Sequence, residues 1–223
     1  MEFIFMLTHN DRTVEDALDI YKEIRGTPLR FVGFKDVGAT RETLLSLTDT
    51  MHEDGRSVFL EVVSTDKDEE LASIEAALEV GVDYVLGGTH PREALALIGS
   101  KPVRYCPFPG VVVGHPSELK GSIEEIASHA KELTSTDGVF GLDLLAYRHR
   151  TVDPAALTRA VTTAATGPVI AAGSVDSAER IRALRAAGAW AFTIGGAVFA
   201  GQLPGAPSLS AQIEWTLEVA SEQ

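Results

Sequence analysis

Short apolar runs alternate with helical patterns along the whole chain. The runs are EFIFML (2–7), RFVGF (30–34), SVFLEVV (57–63), VDYVLGG (82–88), PVRYC (102–106), GVFGLDLL (138–145), PVIAAG (168–173) and WAFTIGG (190–196). Most are continuously apolar rather than alternating, which is how strands covered on both faces of a parallel sheet read. Between them lie stripes at helical spacing. TVEDALDIYKEI puts Val14, Leu18 and Tyr21 on one face, with Thr13 as its N-cap. DEELASIEAALEV aligns Leu71, Ile74 and Leu78, and SAERIRALRAAG aligns Ile181 and Leu184 before a helix end at Gly188. Eight strand-like runs, each followed by a helical stretch, predict an α/β fold: a (β/α)8 TIM barrel, single domain, over residues 1–223. A doubly wound open sheet is the alternative; the count and even spacing favour closure. One connection is longer than the rest. PFPGVVVGHPSELKGS, Pro107–Ser122, is too rich in proline and glycine for a simple helix, and reads as a lid over a ligand or as a solvent-facing excursion.

Composition narrows the possible partners. The formal charge of −13 is broken by no cluster of lysine and arginine, which argues against nonspecific nucleic-acid binding. A small anion held by backbone N–H groups remains compatible with that charge. No apolar run approaches the ~18 residues of a membrane span, and the N-terminus has no signal-peptide pattern, so a cytoplasmic chain without a membrane partner is expected. The single cysteine, Cys106, excludes an intrachain disulfide and reads as a small buried hydrophobe. No cluster of Cys, His and Asp has metal-ligand spacing, so the expected chemistry uses neither metal nor cofactor. Trp190 and Trp215 could mark an interface between copies in a homo-oligomer, or fill the core.

The seventh run ends AAGSVDS and the eighth ends IGGAVF, with Gly173 and Gly195 one strand–helix–strand unit apart. In a closed barrel both turns lie side by side at the C-terminal mouth, where a phosphate can be held by backbone N–H groups. Gly173, Ser174, Gly195 and Gly196 are the candidate phosphate-binding residues, with N–H groups at Gly196, Ala197 and Val198. A Cβ at the glycines would keep the backbone from closing on phosphate oxygens. Plain turns that close the barrel are the competing reading.

VIAAGSVDSAERIRALRAAGAWAFTIGGAVF resembles the C-terminal quarter of the ribulose-phosphate-binding barrel superfamily. That group includes ribulose-phosphate 3-epimerase, the isomerase of histidine biosynthesis, phosphoribosylanthranilate isomerase and N-acetylmannosamine-6-phosphate epimerase. The match is specific over about the last sixty residues and architectural elsewhere. It implies a small phosphorylated substrate and places the phosphate at Gly173, Ser174, Gly195 and Gly196.

Catalytic groups in a barrel project from the C-terminal ends of strands. Those ends carry Thr8, His9, Asn10 and Asp11; Lys35 and Asp36; Glu61, Ser64, Thr65 and Asp66; Thr89 and His90; Tyr105 and Cys106; and Asp143, Tyr147, Arg148 and His149. Lys35, behind an apolar strand, could have a lowered pKa and act as a base or a Schiff-base nucleophile, or could form an ion pair with Asp36, Glu61 or the phosphate. Its VGFKDVG context also resembles the lysine strand of dihydrodipicolinate synthase and N-acetylneuraminate lyase, though on the second strand rather than the sixth. Glu61 interrupts an apolar strand and needs a partner, for which Lys35 is in reach. With Asp143 it could form an acid/base couple beside a carbonyl. His90 could cap a helix or serve as acid or base; His9 and His115 are loop residues. The catalytic motifs of the metal-dependent 3-epimerase, of the decarboxylase branch and of the histidine-pathway isomerase are absent. The expected function is a metal-independent isomerase or epimerase acting on a small phosphorylated sugar or polyol-derived carbonyl compound. Lys35, Glu61, Asp143 and His90 would be its catalytic residues. A Schiff-base lyase using Lys35 and a non-catalytic sugar-phosphate-binding barrel are the alternatives.

Overall fold

A computed structural model of the chain describes residues 1–114, 116–205 and 208–222. Eight parallel strands form one sheet: β1 Glu2–Met6, β2 Phe31–Lys35, β3 Ser57–Val62, β4 Tyr84–Gly87, β5 Arg104–Cys106, β6 Leu142–Leu144, β7 Val169–Ala171 and β8 Ala191–Ile194. Hydrogen-bonded neighbours run β6-β7-β8-β1-β2-β3-β4-β5. The ring closes between β5 and β6 through a Tyr105–Val139 bridge and three further backbone bonds, Phe140 N and Gly141 N to Tyr105 O at 2.9 and 3.5 Å and Asp143 N to Pro107 O at 3.1 Å. The helices are α1 Ala17–Ile24, α2 Arg41–Glu53, α3 Lys67–Val80, α4 Pro91–Ile98, α5 Ile123–Thr134, α6 Pro154–Ala164, α7 Ala178–Ala186 and α8 Leu209–Ser221. A one-turn helix, Gly196–Phe199, precedes α8. All eight expected strands are present, and the fold is the barrel.

Every strand is apolar on both faces because each face meets a different core. Phe3, Phe5, Val32, Phe34, Val58 and Leu60 pack outward under the helices. Ile4, Met6, Phe31, Phe59, Tyr84 and Cys106 fill the interior. The interior is layered. At the N-terminal end an aromatic floor joins Phe31, Phe59, Tyr84, Phe140 and Trp190, with Phe59 stacked on Tyr84 at 4.1 Å. Trp190 therefore belongs to this floor, and Trp215 packs half-buried against the outer core, so core packing accounts for both. Gly33 lies one layer above: a Cβ there would stand 2.6 Å from Met6 Sδ, so its absence admits the methionine. The same inward parity carries Lys35, Glu61 and Thr193 to the opposite, C-terminal end, where barrels place their chemistry.

Local details depart from the pattern reading in three places. Thr13 does not cap α1, which starts at Ala17 after Asp16. Instead Thr8–His9 and Arg12–Thr13 form a small antiparallel hairpin. The buried side of α3 is Glu70, Ile74, Ala77 and Val80, with Leu71 and Leu78 only half-buried. The long connection after β5 is a second hairpin, Val111–Val113 with Glu118–Lys120. Its Val112 and Leu119 face inward, whereas Val111 and Val113 are exposed. Gly188 sits just past α7 with φ of +88°, as a helix-ending glycine should.

Candidate functional site

Two strands in register build the floor of the site. Lys35 and Glu61 are paired residues of β2 and β3, and on adjacent parallel strands their side chains share the barrel interior. They are 5% and 7% exposed, and Lys35 Nζ stands 3.3 Å from Glu61 Oε1. A second carboxylate reaches the same ammonium: Asp11 Oδ1 is 2.9 Å from Nζ. Asp11 comes from the tip of the first hairpin, where Asn10 and Asp11 have φ of +50° and +58°, the left-handed pair that a two-residue hairpin turn needs. Thr13, one step further on, accepts the Lys35 N–H at 2.9 Å and donates to the Lys35 carbonyl at 2.8 Å. One hairpin thus fixes Lys35 by backbone and side chain together.

Arg148 completes the charge network from the other side of the mouth. It follows β6 in a short 3-10 turn, Ala146–Arg148, and donates to Asp11 Oδ2 at 3.0 Å and Oδ1 at 2.8 Å. Lys35, Glu61, Asp11 and Arg148 line a cavity of about 330 Å³ whose rim includes Gly173, Ser174, Gly195 and Gly196. The four expected phosphate residues and two of the expected catalytic residues therefore meet in one concavity.

The glycines there serve different ends. A Cβ on Gly195 would lie 2.5 Å from Thr8 Oγ1 and 2.7 Å from Thr8 O, so this glycine lets β8 close on β1. Gly173, at φ +77°, makes room for Arg148, whose Nε would be 2.6 Å from an added Cβ. Of these three, only Gly196 has open space where a side chain would stand. Of the three N–H groups expected at the short helix, that of Val198 is spent on the Gly195 carbonyl at 3.0 Å. Those of Gly196 and Ala197 stand in the first turn, where no intrahelical acceptor exists.

Electrostatics separate the ionisable groups. Burial alone would lower the pKa of Lys35, but the carboxylates of Glu61 and Asp11 outweigh it and hold the ammonium above the ordinary lysine value. The lowered value expected for a Schiff-base lysine is thereby reversed. Burial would raise Asp11, yet hydrogen bonds and charge from Arg148 and Lys35 keep it well below the usual carboxylate range. Asp143 behaves oppositely. It is wholly buried on β6, neither carboxyl oxygen has a hydrogen-bond partner, and burial together with the nearby Glu61 charge lifts its pKa well above the normal range. Asp143 is not among the residues that line the cavity, and its surroundings favour the neutral form of its carboxyl.

Other expected residues lie elsewhere. His90 precedes α4 and does not line the cavity; its Nδ1 is 2.8 Å from Glu70 Oε2. Glu70, fully buried on α3, also accepts the N–H groups of Thr89 at 2.8 Å and His90 at 3.0 Å, so the cluster fixes the β4–α4 turn. Asp36 hydrogen-bonds Ser73 rather than Lys35. Cys106 is buried in the interior, and burial pushes its thiol up. His9 is half-buried with its ring 6.2 Å from that of Phe199, and His115 lies outside the described residues. None of the described residues of the second hairpin lines the cavity. Its Pro116, Ser117 and Glu118 border an adjoining cavity of about 750 Å³ that shares Asp11, Arg148 and Ser174 with the first. Among the described residues no group of three His, Cys, Asp or Glu could hold a metal ion, and no helix is long and apolar enough to cross a membrane. Asp11 and Arg148 were visible in the sequence only as polar groups at strand ends; the Asn-Asp turn was the one signal for the first, and nothing marked the second.

No protein-family model matches the chain, and no curated protein matches it in sequence. Solved structures do match in fold. An orotidine 5'-phosphate decarboxylase from Pyrococcus horikoshii OT3 superposes with a TM-score of 0.71 at 12% identity, covering 99% of this chain and 100% of that one. The N-(5'-phosphoribosyl)anthranilate isomerase from Pyrococcus furiosus gives 0.61 at 16% identity, covering 99% and 98%. Both are barrels of the ribulose-phosphate-binding superfamily that the C-terminal sequence resembles. At these identities the likeness is one of fold.

Proposed function

We propose that this protein is an enzyme that moves a proton beside the carbonyl of a small phosphorylated sugar or related polyol-derived compound, an isomerase or epimerase needing no metal. The carrying observation is the Lys35–Glu61 ion pair, at 3.3 Å, in the cavity that also holds the two glycine turns. The names of both solved neighbours contain a phosphate-bearing compound, which supports a phosphorylated ligand here.

The phosphate would sit against Gly173, Ser174, Gly195 and Gly196, so that binding energy from a non-reacting group positions the reacting carbons over Lys35 and Glu61. Glu61 would take the proton from the carbon next to the carbonyl. The C–H electrons then form a carbon–carbon double bond while the carbonyl oxygen gains negative charge, and the Lys35 ammonium stabilises that oxygen. Returning the proton to the former carbonyl carbon, while the hydroxyl of the first carbon passes its proton to the charged oxygen, gives an isomer; protonating the first carbon on its opposite face from a second donor gives an epimer. Asp143, a neutral acid close to Glu61, would disfavour added negative charge there less than a carboxylate would. Nothing in the geometry gives His90 a direct part. Schiff-base chemistry needs Lys35 as a neutral amine, which Glu61 and Asp11 oppose.

Incubating the protein with a panel of phosphorylated ketoses and aldoses in heavy water, followed by proton NMR, tests the reading. Deuterium should enter at the carbon next to the carbonyl with wild type and not with Glu61→Gln, while both still bind the compound. Binding without exchange would mark a non-catalytic sugar-phosphate protein. Borohydride trapping of the compound on Lys35 would establish the lyase instead.

A further inference from the structure

We infer that Arg148 is the residue that reads the ligand's anionic group, exchanging Asp11 for that anion when the cavity fills. Asp11 is then a positioning residue that holds the two cations of the empty site. This rests on the phosphate reading above and extends it to a residue that no sequence signal marked.

Four observations converge. First, both cations of the cavity are already matched, Lys35 and Arg148 by Asp11 and Glu61, while Asp176, the third carboxylate of the lining, is paired with Arg180 outside it. An entering phosphoryl group meets only backbone N–H groups unless one cation changes partner. Second, Lys35 is the less available cation, held between two carboxylates at the floor. Arg180, the other cation near the β7 turn, is committed to Asp176 at 2.9 Å and to the Ser174 carbonyl, lies over the Tyr147 ring, and does not line the cavity. Third, Arg148 already lies against the β7 turn, in the space left by the missing side chain of Gly173. Its Nε is buried there without a hydrogen-bond partner among the described residues, so the pairing with Asp11 leaves one guanidinium donor unsatisfied. Fourth, Asp11 engages Arg148 through two parallel hydrogen bonds, the same forked geometry by which a guanidinium grips two phosphate oxygens. The carboxylate is therefore a structural stand-in for the anion, presented on a turn whose two residues both occupy the left-handed region.

The two partners of one ion pair should then shift anion affinity in opposite directions, which a pair remote from the anion would not do. Inorganic phosphate is titrated calorimetrically into wild type, Arg148→Gln, Arg148→Lys and Asp11→Asn, each checked for a native circular-dichroism spectrum and a cooperative melt. Arg148→Gln should weaken phosphate by about tenfold or more, and Arg148→Lys by less, because a point charge replaces a fork. Asp11→Asn should tighten phosphate several-fold by removing the internal competitor. If the folded Arg148 and Asp11 variants all bind phosphate within about twofold of wild type, the exchange is overturned while the phosphate reading survives. Weaker binding by Asp11→Asn than by wild type would overturn the exchange equally. If Arg148→Gln does not fold, Arg148→Lys and Asp11→Asn still decide by the opposed signs. Should wild type bind neither phosphate nor any phosphorylated sugar of the panel, the phosphate reading and this inference fall together.

Discussion

Arg148 donates two hydrogen bonds, of 3.0 and 2.8 Å, to Asp11, a residue 137 positions earlier in the chain. The pair bridges the first and sixth connections of the barrel across its mouth. Both side chains are largely buried, at 19% and 14% exposure, so removing one partner strands a charge that water reaches poorly. Asp11→Ala should destabilise the fold by about 2–4 kcal/mol in urea unfolding. Its pKa is depressed in the folded state, so the stabilisation is present above the unfolded value of about 3.9 and is lost as pH falls below it toward the folded one. The gap between wild type and Asp11→Asn should narrow on acidification through that window. A constant gap from pH 6 to pH 2 would show that folding does not lower the pKa of Asp11.

Asp143 predicts the reverse sign. Its folded pKa lies well above its unfolded one, so a destabilisation sets in above about pH 3.9, grows as pH rises and is complete once the folded value is passed. Asp143→Asn, which keeps shape and neutrality, should therefore raise the urea midpoint at pH 7 and converge with wild type near pH 3. A variant less stable than wild type at pH 7 would mean that Asp143 is ionised and paired in the native state.

Adjacent glycines should separate fold from binding. Gly195→Ala places a Cβ 2.5 Å from Thr8 Oγ1 and 2.8 Å from Met6 O, backbone and side chain alike, and should cost at least about 2 kcal/mol. Gly196→Ala meets nothing within 4 Å and should leave stability within about 1 kcal/mol. The same substitution should abolish the thermal stabilisation that phosphorylated ligands give. Retained ligand stabilisation in Gly196→Ala would move the anion away from this turn.

Thr13→Val removes both hydrogen bonds to the Lys35 backbone while keeping the side-chain shape. The cost should be about 1–3 kcal/mol, because the Lys35 N–H and the hairpin are left without their link. Deuterium exchange into substrate should fall with it, since the Lys35–Asp11 contact depends on the same hairpin. His90→Asn, outside the cavity, should leave the exchange rate within about twofold. A large loss of rate in that variant would bring His90 back into the chemistry.

The strands were legible because each had to be apolar on two faces, and a continuous run such as SVFLEVV leaves little else for Ser57–Val62 to be. Glu61 stood out for the same reason: a carboxylate in such a run must have a partner. Residues whose roles come from non-local pairing were not legible. Asp11 and Arg148 share no spacing, and Asn10–Asp11 lacks the glycine that usually announces a two-residue turn. Glu70 was hidden differently, since α3 reads equally well with Leu71 and Leu78 toward the core. The N–H groups of Thr89 and His90 and the His90 ring, all bonded to Glu70, explain why a carboxylate is buried there.

The closure of the ring has a consequence for what a protease could do to it. β8 and β1, the barrel strands furthest apart in sequence, are joined by a full ladder from Glu2–Ala191 to Phe5–Ile194. β5 and β6 are joined by the Tyr105–Val139 bridge and the three bonds made by Phe140, Gly141 and Asp143, and there the chain itself spans the gap through Pro107–Ser122 and α5. Covalent continuity thus reinforces that joint. A single cut in that exposed hairpin would leave both fragments in place but free the seam to part. The cylinder would then become a curled open sheet with two bare edges, the form of β-structure most ready to recruit another chain.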